Sequence, residues 1–156
     1  MNRKDFQSLS RMRLDEARVL FTAGHFEGAY YLAGYAVECA LKACIARKTQ
    51  QYDFPDKELV AKSYTHDLGR LVEAAGLTDA LKRDRSNDSG LDSNWEIARG
   101  WSEQSRYRLF RREDDRKDAT VQGVEYGILG GFEAGVLISA VDSEKGGVLQ
   151  WIRQHW

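Results

Sequence analysis

The stretch from His25 to Lys48 is the feature that most constrains how this chain folds. Its alanines recur at steps of four, three, four and three residues, a spacing that puts them on one face of an α-helix. These alanines are Ala29, Ala33, Ala36, Ala40 and Ala43. Charged residues are few over almost seven helical turns. We therefore expect this helix to be buried on several sides and to form the centre of an all-α domain.

A second helix is predicted just before the central one, from Asp5 to Phe21. Within it Leu14, Ala17 and Leu20 recur at helical spacing, and charged residues occupy the other side. Gly24 follows closely, and glycine commonly ends a helix. Because the turn is so short, we expect the two helices to be antiparallel neighbours.

Shorter helical patterns continue the chain. Residues 65–76 predict a helix with Thr65 as its N-cap and Gly76 at its end, and another short helix follows. Residues 82–93 are polar and contain a glycine, so we interpret them as a surface loop. Residues 94–110 return to a helical pattern. The apolar candidates of this last pattern are Trp95, Ala98, Trp101, Tyr107 and Phe110.

Four glycines spaced four residues apart mark a further helix over residues 119–141. They are Gly123, Gly127, Gly131 and Gly135. Each costs a helix about 1 kcal/mol relative to alanine, so we expect close packing of this row against the alanine face of the central helix. Charged residues interrupt the segment and its uncharged run is far below the ~20 residues of a bilayer span, which disfavours a membrane helix. A last helical stripe, Val148, Ile152 and Trp156, is expected to pack onto the bundle or onto a second subunit.

Composition narrows the functional classes. The chain has 156 residues, of which 23 are basic and 24 acidic, and its formal net charge is −1. We expect one domain, residues 1–156, with no global attraction to nucleic acid or to acidic membranes.

The N-terminus lacks the apolar segment of a secretory signal, and the two cysteines, Cys39 and Cys44, are expected to be reduced, so a cytoplasmic location is predicted. Metal-ligand and phosphate-loop motifs do not occur in the sequence, so we expect no metal and no cofactor.

Three blocks of the chain, residues 21–45, 65–77 and 101–107, together resemble one known family. The residues that carry the likeness are Gly24, His25, Phe26, Ala29, Glu38, Leu41 and Lys42 in the first block, His66, Asp67, Leu68 and Leu71 in the second, and Trp101, Arg106 and Tyr107 in the third. Their order and spacing resemble the HEPN family of small prokaryotic helical-bundle proteins, which are often encoded beside a minimal nucleotidyltransferase. The resemblance implies an up-and-down bundle of four to five main helices that forms a homodimer.

The ribonuclease branch of that family carries an Arg-x(4–6)-His motif, which both subunits contribute to a shared cleft that cuts RNA without metal. This sequence departs from the motif, because no histidine follows Arg106 until His155. Arg18 and His25 have the required spacing, but they flank the first interhelical turn instead of occupying the family's motif position. We interpret that match as coincidental.

Three residues are candidates for catalysis by general acid–base chemistry and charge stabilisation: Arg106, His66 and Glu38. Glu38 is a carboxylate on an otherwise apolar helix, so it requires a cationic or hydrogen-bonding partner. Lys42 lies one turn away, and Arg106 is the cross-helix partner we predict. The alternatives are structural: Arg106 in an ion pair with Glu38 or Glu103, and His66 as a hydrogen-bonding loop residue.

A basic and aromatic cluster is the candidate site for a nucleotide or RNA. It consists of Arg106, Tyr107, Arg108, Arg111 and Arg112. The arginines could hold phosphates while the aromatic ring stacks on a base. Acidic residues are interspersed among them, so a solvated, self-paired helix face is the alternative.

From the sequence we therefore predict a binding and regulatory partner of a nucleotidyltransferase, in a toxin-antitoxin or stress-response system, with nucleotide binding as a possible further role. The alternative is a metal-independent RNA endonuclease with an active site across the dimer. A scaffold without a ligand is the third interpretation.

Overall fold

The structure is a computed structural model that describes residues 1–48, 57–107 and 129–156. Within these ranges every regular element is helical. In chain order they are α1 (Arg3–Thr22), α2 (Phe26–Lys48), α3 (Lys57–Ser63), α4 (Leu68–Ala75), α5 (Thr78–Asn87), α6 (Ser89–Arg99), a 3-10 helix (Glu103–Tyr107), α7 (Leu129–Asp142) and α8 (Val148–Arg153). The predicted all-α helical bundle is confirmed, and five of the described helices, α1, α2, α5, α6 and α7, have ten or more residues.

Helix α1 begins and ends where local chemistry favours it. Asn2 caps it, because its side chain accepts a hydrogen bond from the Asp5 amide while the Asp5 carboxylate accepts one from the Asn2 amide. At the other end Gly24 has a φ of +79°, a conformation that glycine adopts without steric cost. The chain reverses within this turn and α2 packs along α1, as predicted.

Helix α2 is the centre of the described fold. It contacts α1, α4, α7, α8 and the 3-10 helix. All five alanines of its small-residue face are buried. A helix covered on so many sides needs few charges, so the largely apolar composition of this stretch is explained by its position.

The N-cap of α4 corrects one prediction. Asp67, and not Thr65, caps the helix, because its side chain accepts a hydrogen bond from the Arg70 amide at 3.0 Å. Thr65 binds the N-cap residue itself, because its hydroxyl oxygen accepts a hydrogen bond from the Asp67 amide at 3.2 Å. Gly76 ends α4 with a φ of +69°, as predicted.

The predicted loop over residues 82–93 is wrong, because α5 continues to Asn87 and α6 begins at Ser89. Only Asp88 separates them, and its side chain caps α6 by accepting a hydrogen bond from the Leu91 amide. Arg85 ties the two helices together through Asp92 at 2.7 Å and Glu96 at 2.5 Å. The polar residues of this stretch therefore form the outer faces of two helices.

The helix predicted over residues 94–110 is shorter than expected. Helix α6 ends at Arg99, and a 3-10 helix follows at Glu103–Tyr107. Trp95, Ala98 and Trp101 are buried as predicted, but Tyr107 is 73% exposed and does not belong to the core. Phe110 lies outside the described residues.

Helix α7 packs on α2 and α1, but its glycines do not face the alanines of α2. The atoms nearest to a Cβ at Gly131 belong to the ring of Phe26, and those nearest to one at Gly135 belong to the ring of Phe21. The row thus makes room for two aromatic rings at the α1–α2 turn, which corrects our prediction. Gly123 and Gly127 lie outside the described residues.

Helix α8 packs back onto the bundle, with Val148 and Ile152 fully buried. Cys39 and Cys44 are buried and free, as expected for reduced thiols. None of the helices in the described part of the chain combines the length and apolarity that a bilayer span requires.

Candidate functional site

A buried carboxylate lies in the middle of α2. Glu38 is 1% exposed, and its oxygens accept hydrogen bonds from two side chains. Lys42 Nζ lies 2.8 Å from Oε1, one turn further along α2, and His66 Nδ1 lies 2.9 Å from Oε2. A carboxylate withdrawn from water is stable only when cations or hydrogen bonds compensate it. This pair of partners explains how an acidic residue is tolerated on the central helix.

His66 reaches Glu38 because of where α4 begins. It immediately precedes Asp67, the N-cap, and α4 packs against α2. Its side chain is 48% exposed even though Nδ1 faces the buried carboxylate. A neutral imidazole that donates Nδ1–H to Glu38 carries its lone pair on Nε2, at the opposite edge of the ring. The geometry therefore presents a hydrogen-bond acceptor or proton acceptor beside a fixed carboxylate.

The predicted Glu38–Arg106 pair is not the one formed. The ion-pair partners of Glu38 within the described ranges are Lys42 and His66. Arg106 lies on the short 3-10 helix and is exposed, with its Cζ 5.0 Å from the ring centroid of Tyr107. Its guanidinium therefore lies at the surface over the Tyr107 ring. Lys42 and His66 compensate the buried carboxylate instead.

The structure thus brings together two of the three catalytic candidates, Glu38 and His66. Arg106 and Tyr107, from the candidate nucleotide or RNA cluster, lie side by side on an exposed turn. The other members of that cluster, Arg108, Arg111 and Arg112, lie outside the described residues.

Two further side chains on α2 share the surroundings of Glu38. Tyr35 precedes it by almost one turn, and burial raises the pKa of the Tyr35 phenol, an effect to which Cys39 and the Glu38 charge add. Burial also raises the pKa of the Cys39 thiol to about 11, and the Glu38 carboxylate contributes to that rise. Sequence reasoning did not assign Tyr35 to this site, although its spacing of three residues from Glu38 places both on one side of a helix.

A cleft of about 610 Å³ opens between α4, α5 and α6, and Asp67 lies on its wall. Trp95 contributes to its apolar lining. The charged lining residues have both signs, and they are Lys82, Arg85, Arg99, Asp67 and Asp92. The sequence interpretation missed this cleft because it treated residues 82–93 as a loop. Asp67, which lines the cleft, directly follows His66 in the sequence, so the cleft and the Glu38–His66 pair are neighbours along the chain.

Arg18 and His25, whose spacing matches the Arg-x(4–6)-His motif, lie on α1 and in the turn that follows it. Arg18 pairs with Asp15 at 2.7 Å and with Asp142 on α7, while His25 is exposed in the α1–α2 turn. Arg18 therefore connects helices. Within the described ranges, no group of three or more His, Cys, Asp or Glu side chains is placed to hold a metal ion.

Comparison with protein families identifies the class. The HEPN domain model matches residues 8–121, more than half of the chain. The chain therefore belongs to the HEPN domain family, as its three sequence blocks indicated. Helices α7 and α8 lie beyond the matched region but pack against α2. Comparisons with curated proteins and with solved structures found no match.

Proposed function

We propose that this HEPN-domain protein is the helical binding and regulatory partner of a nucleotidyltransferase in a toxin-antitoxin or stress-response system. Membership of the family supports this role. The sequence also lacks an Arg-x(4–6)-His motif at the position that the ribonuclease branch uses. We further propose that the protein is a cytoplasmic homodimer.

The observation that carries the binding role is the fixed, half-exposed imidazole of His66. Cleavage of RNA requires a base and also cations that stabilise the phosphorane. The cation nearest to Glu38 is Lys42, and its ammonium group is held by that carboxylate. What the described site offers is a pre-oriented Nε2, suited to accept a hydrogen bond from a ribose hydroxyl of a bound nucleotide.

Co-expression tests the proposal directly. The tagged chain would be produced together with the product of the neighbouring reading frame, and the purified material would be analysed by size-exclusion chromatography with light scattering. We expect a stable complex. If both proteins are folded yet elute separately at micromolar concentration, with and without ATP, the partner role is wrong.

Variants then test the part played by His66. His66→Ala is expected to weaken ATP binding by the complex by up to roughly tenfold, the loss of one hydrogen bond from a ribose hydroxyl. His25→Ala, an exposed histidine in the α1–α2 turn, is the matched control. Equal ATP affinity of the His66 variant and the control would remove His66 from the site while leaving the partner role intact.

The Glu38–His66 pair also favours a second candidate, a metal-independent RNA endonuclease with its active site across the dimer. A carboxylate that orients an imidazole is the arrangement expected of a general base, and Arg106 from the partner subunit would supply the cation. Labelled single-stranded RNA in excess chelator tests this activity. Cleavage by the wild type that both His66→Ala and Arg106→Ala lose, and that His25→Ala keeps, would establish the endonuclease. Intact RNA throughout would exclude it.

The homodimer has its own measurement. Light scattering at micromolar concentration is expected to show particles of twice 17.8 kDa. Particles of only 17.8 kDa would exclude both the homodimer and any active site shared between subunits.

A further inference from the structure

The cleft between α4, α5 and α6 has the size and the lining of a small-molecule site. Its volume of about 610 Å³ lies within the range of roughly 300–1,000 Å³ that is usual for ligand pockets. The apolar lining comes from Val72, Leu81 and Trp95, each at most 6% exposed. Helix α5 contributes residues that recur at helical spacing and therefore share one side of the helix. They are Thr78, Leu81, Lys82, Arg85 and Ser86.

One cation of this cleft is unpaired. The two arginines of the lining already have carboxylate partners, since Arg85 lies 2.7 Å from Asp92 and Arg99 lies 3.3 Å from Glu96. For the Lys82 ammonium group, no carboxylate in the described part of the chain lies within 4.0 Å. Lys82 is therefore the cation that is free to pair with a bound anionic group.

A carboxylate oxygen on the α4 side of the cleft is available as well. Asp67 Oδ1 accepts the capping hydrogen bond from the Arg70 amide, whereas the ion-pair contact of Oδ2 is the long one of 4.0 Å to Arg70 Nε. Gly69 also lines the cleft and is exposed, and a Cβ there would lie 3.2 Å from Asp67 Oδ1. Glycine costs a helix about 1 kcal/mol relative to alanine. At this position it leaves the space beside the carboxylate open.

We propose that this cleft binds a small zwitterion with an apolar body, an apolar amino acid or a dipeptide of apolar residues. The carboxylate of the ligand would pair with Lys82, its ammonium group with Asp67, and its apolar side chain would contact Trp95 and the aliphatic lining. One free cation, one available carboxylate and an apolar surface match one charge of each sign on an apolar molecule. A polyphosphate would instead bring several negative charges toward Asp67 and Asp92. The proposal depends neither on a nucleotidyltransferase partner nor on RNA cleavage.

Isothermal titration of the full chain tests the proposal with matched small molecules. The two zwitterions are L-leucine and L-leucyl-L-leucine. Leucinamide lacks the carboxylate of leucine, and 4-methylpentanoate lacks its ammonium group. We expect at least one zwitterion to bind, and both truncated analogues to bind at least roughly tenfold more weakly, since each loses one charge-assisted contact.

Variants of the two charged residues locate the binding site. Lys82→Gln and Asp67→Asn are each expected to weaken binding of the zwitterion roughly tenfold. Asparagine is as good an N-cap as aspartate, so Asp67→Asn removes the charge while α4 keeps its cap. The control Glu144→Gln/Lys145→Gln removes one charge of each sign from exposed positions between α7 and α8, and it should bind like the wild type. Circular dichroism would establish that each variant is folded.

The outcomes distinguish the two ligand sources and define failure. Tighter binding of leucine assigns the cleft to an amino acid, and tighter binding of leucyl-leucine assigns it to a dipeptide. If the folded wild type binds neither at concentrations up to about 10 mM, the proposal is overturned. Unchanged affinity in Lys82→Gln or Asp67→Asn, an equal loss in the control, or equal affinity for the truncated analogues also overturns it. So does binding of ATP that is tighter than binding of either zwitterion and is lost in Lys82→Gln.

Discussion

Gly34 of α2 faces the indole ring of Trp101 with no space for a side chain between them. A Cβ at Gly34 would lie less than 3.0 Å from three atoms of that ring, a separation that real Cβ atoms essentially never show. Trp101 is 3% exposed and part of the core, so the ring cannot swing into solvent without losing its packing. The missing side chain of Gly34 is therefore what allows Trp101 and the 3-10 helix that follows it to approach α2.

Gly34→Ala should therefore destabilise the protein. Alanine favours a helix by about 1 kcal/mol over glycine, but forcing a methyl group into a packed core typically costs 1–3 kcal/mol. We expect the free energy of unfolding in urea denaturation to fall by the difference between these terms, up to about 2 kcal/mol.

Gly28→Ala is the matched control on the same helix. A Cβ there would meet only the flexible end of Leu20, at 3.0 Å. We expect a change within about 0.5 kcal/mol of zero for this variant. If the two variants have equal stability, the contact between Gly34 and Trp101 is not what limits this position.

The sequence predicted the helices better than it predicted their contacts. Periodicity identified α1 and α2 because burial on one side leaves a spacing that can be read without a structure. It failed at residues 82–93, where one residue, Asp88, both separates two helices and caps the second. Most residues of this stretch are polar because they form the exposed sides of the two helices. The buried residues, such as Leu81 and Leu91, lie near its ends, so the sequence between them resembles a loop.

In the candidate site, too, the sequence predicted that a contact was needed but not which residues make it. The need of Glu38 for a partner followed from a carboxylate on an apolar helix. Which residue would meet that need did not follow, because His66 and Arg106 are both distant in sequence and only the packing of α4 selects one of them. For Gly131 and Gly135, spacing predicted a close approach but could not identify the aromatic rings that they accommodate.

Removing the Glu38 carboxylate should cost more than removing an exposed one. Glu38→Ala leaves Lys42, which is 20% exposed, without its carboxylate partner. It also leaves a small cavity where the Glu38 side chain packed. Breaking a buried ion pair by deleting one member costs roughly 3 kcal/mol. We expect a loss of about that size in urea denaturation.

Asp15→Ala is the comparison for Glu38. Asp15 pairs with Arg18 at 2.7 Å, and its side chain is 69% exposed. Exposed pairs contribute about 0–1 kcal/mol. Equal losses in the two variants would show that burial of Glu38 does not govern its contribution.

The two thiols should be unreactive in the folded protein. Burial raises the pKa of Cys39 to about 11 and that of Cys44 to about 12. Since the thiolate is the nucleophile, its scarcity near pH 8 and the lack of access should both slow alkylation. Mass spectrometry after iodoacetamide treatment is expected to show neither cysteine modified in native protein and both modified in guanidinium chloride.

An introduced cysteine calibrates that experiment. Val60 on α3 is 42% exposed, so Val60→Cys should react in the native protein while Cys39 and Cys44 do not. Rapid native modification of Cys39 or Cys44, at the rate of the introduced thiol, would contradict their buried positions.

His155 should make the protein less stable as the pH falls below about 7. Burial lowers the pKa of His155 from its ordinary value of 6.5; Arg83 and Arg47 act in the same direction, and Asp84 acts against them. Below pH 6.5 the unfolded chain therefore binds a proton that the folded chain does not, so stability declines until the pH reaches the folded pKa. Urea midpoints between pH 7.5 and 5 should fall less steeply for His155→Gln than for the wild type. His25→Gln, which leaves His155 in place, should retain the wild-type slope, and identical slopes for all three proteins would contradict the effect of burial.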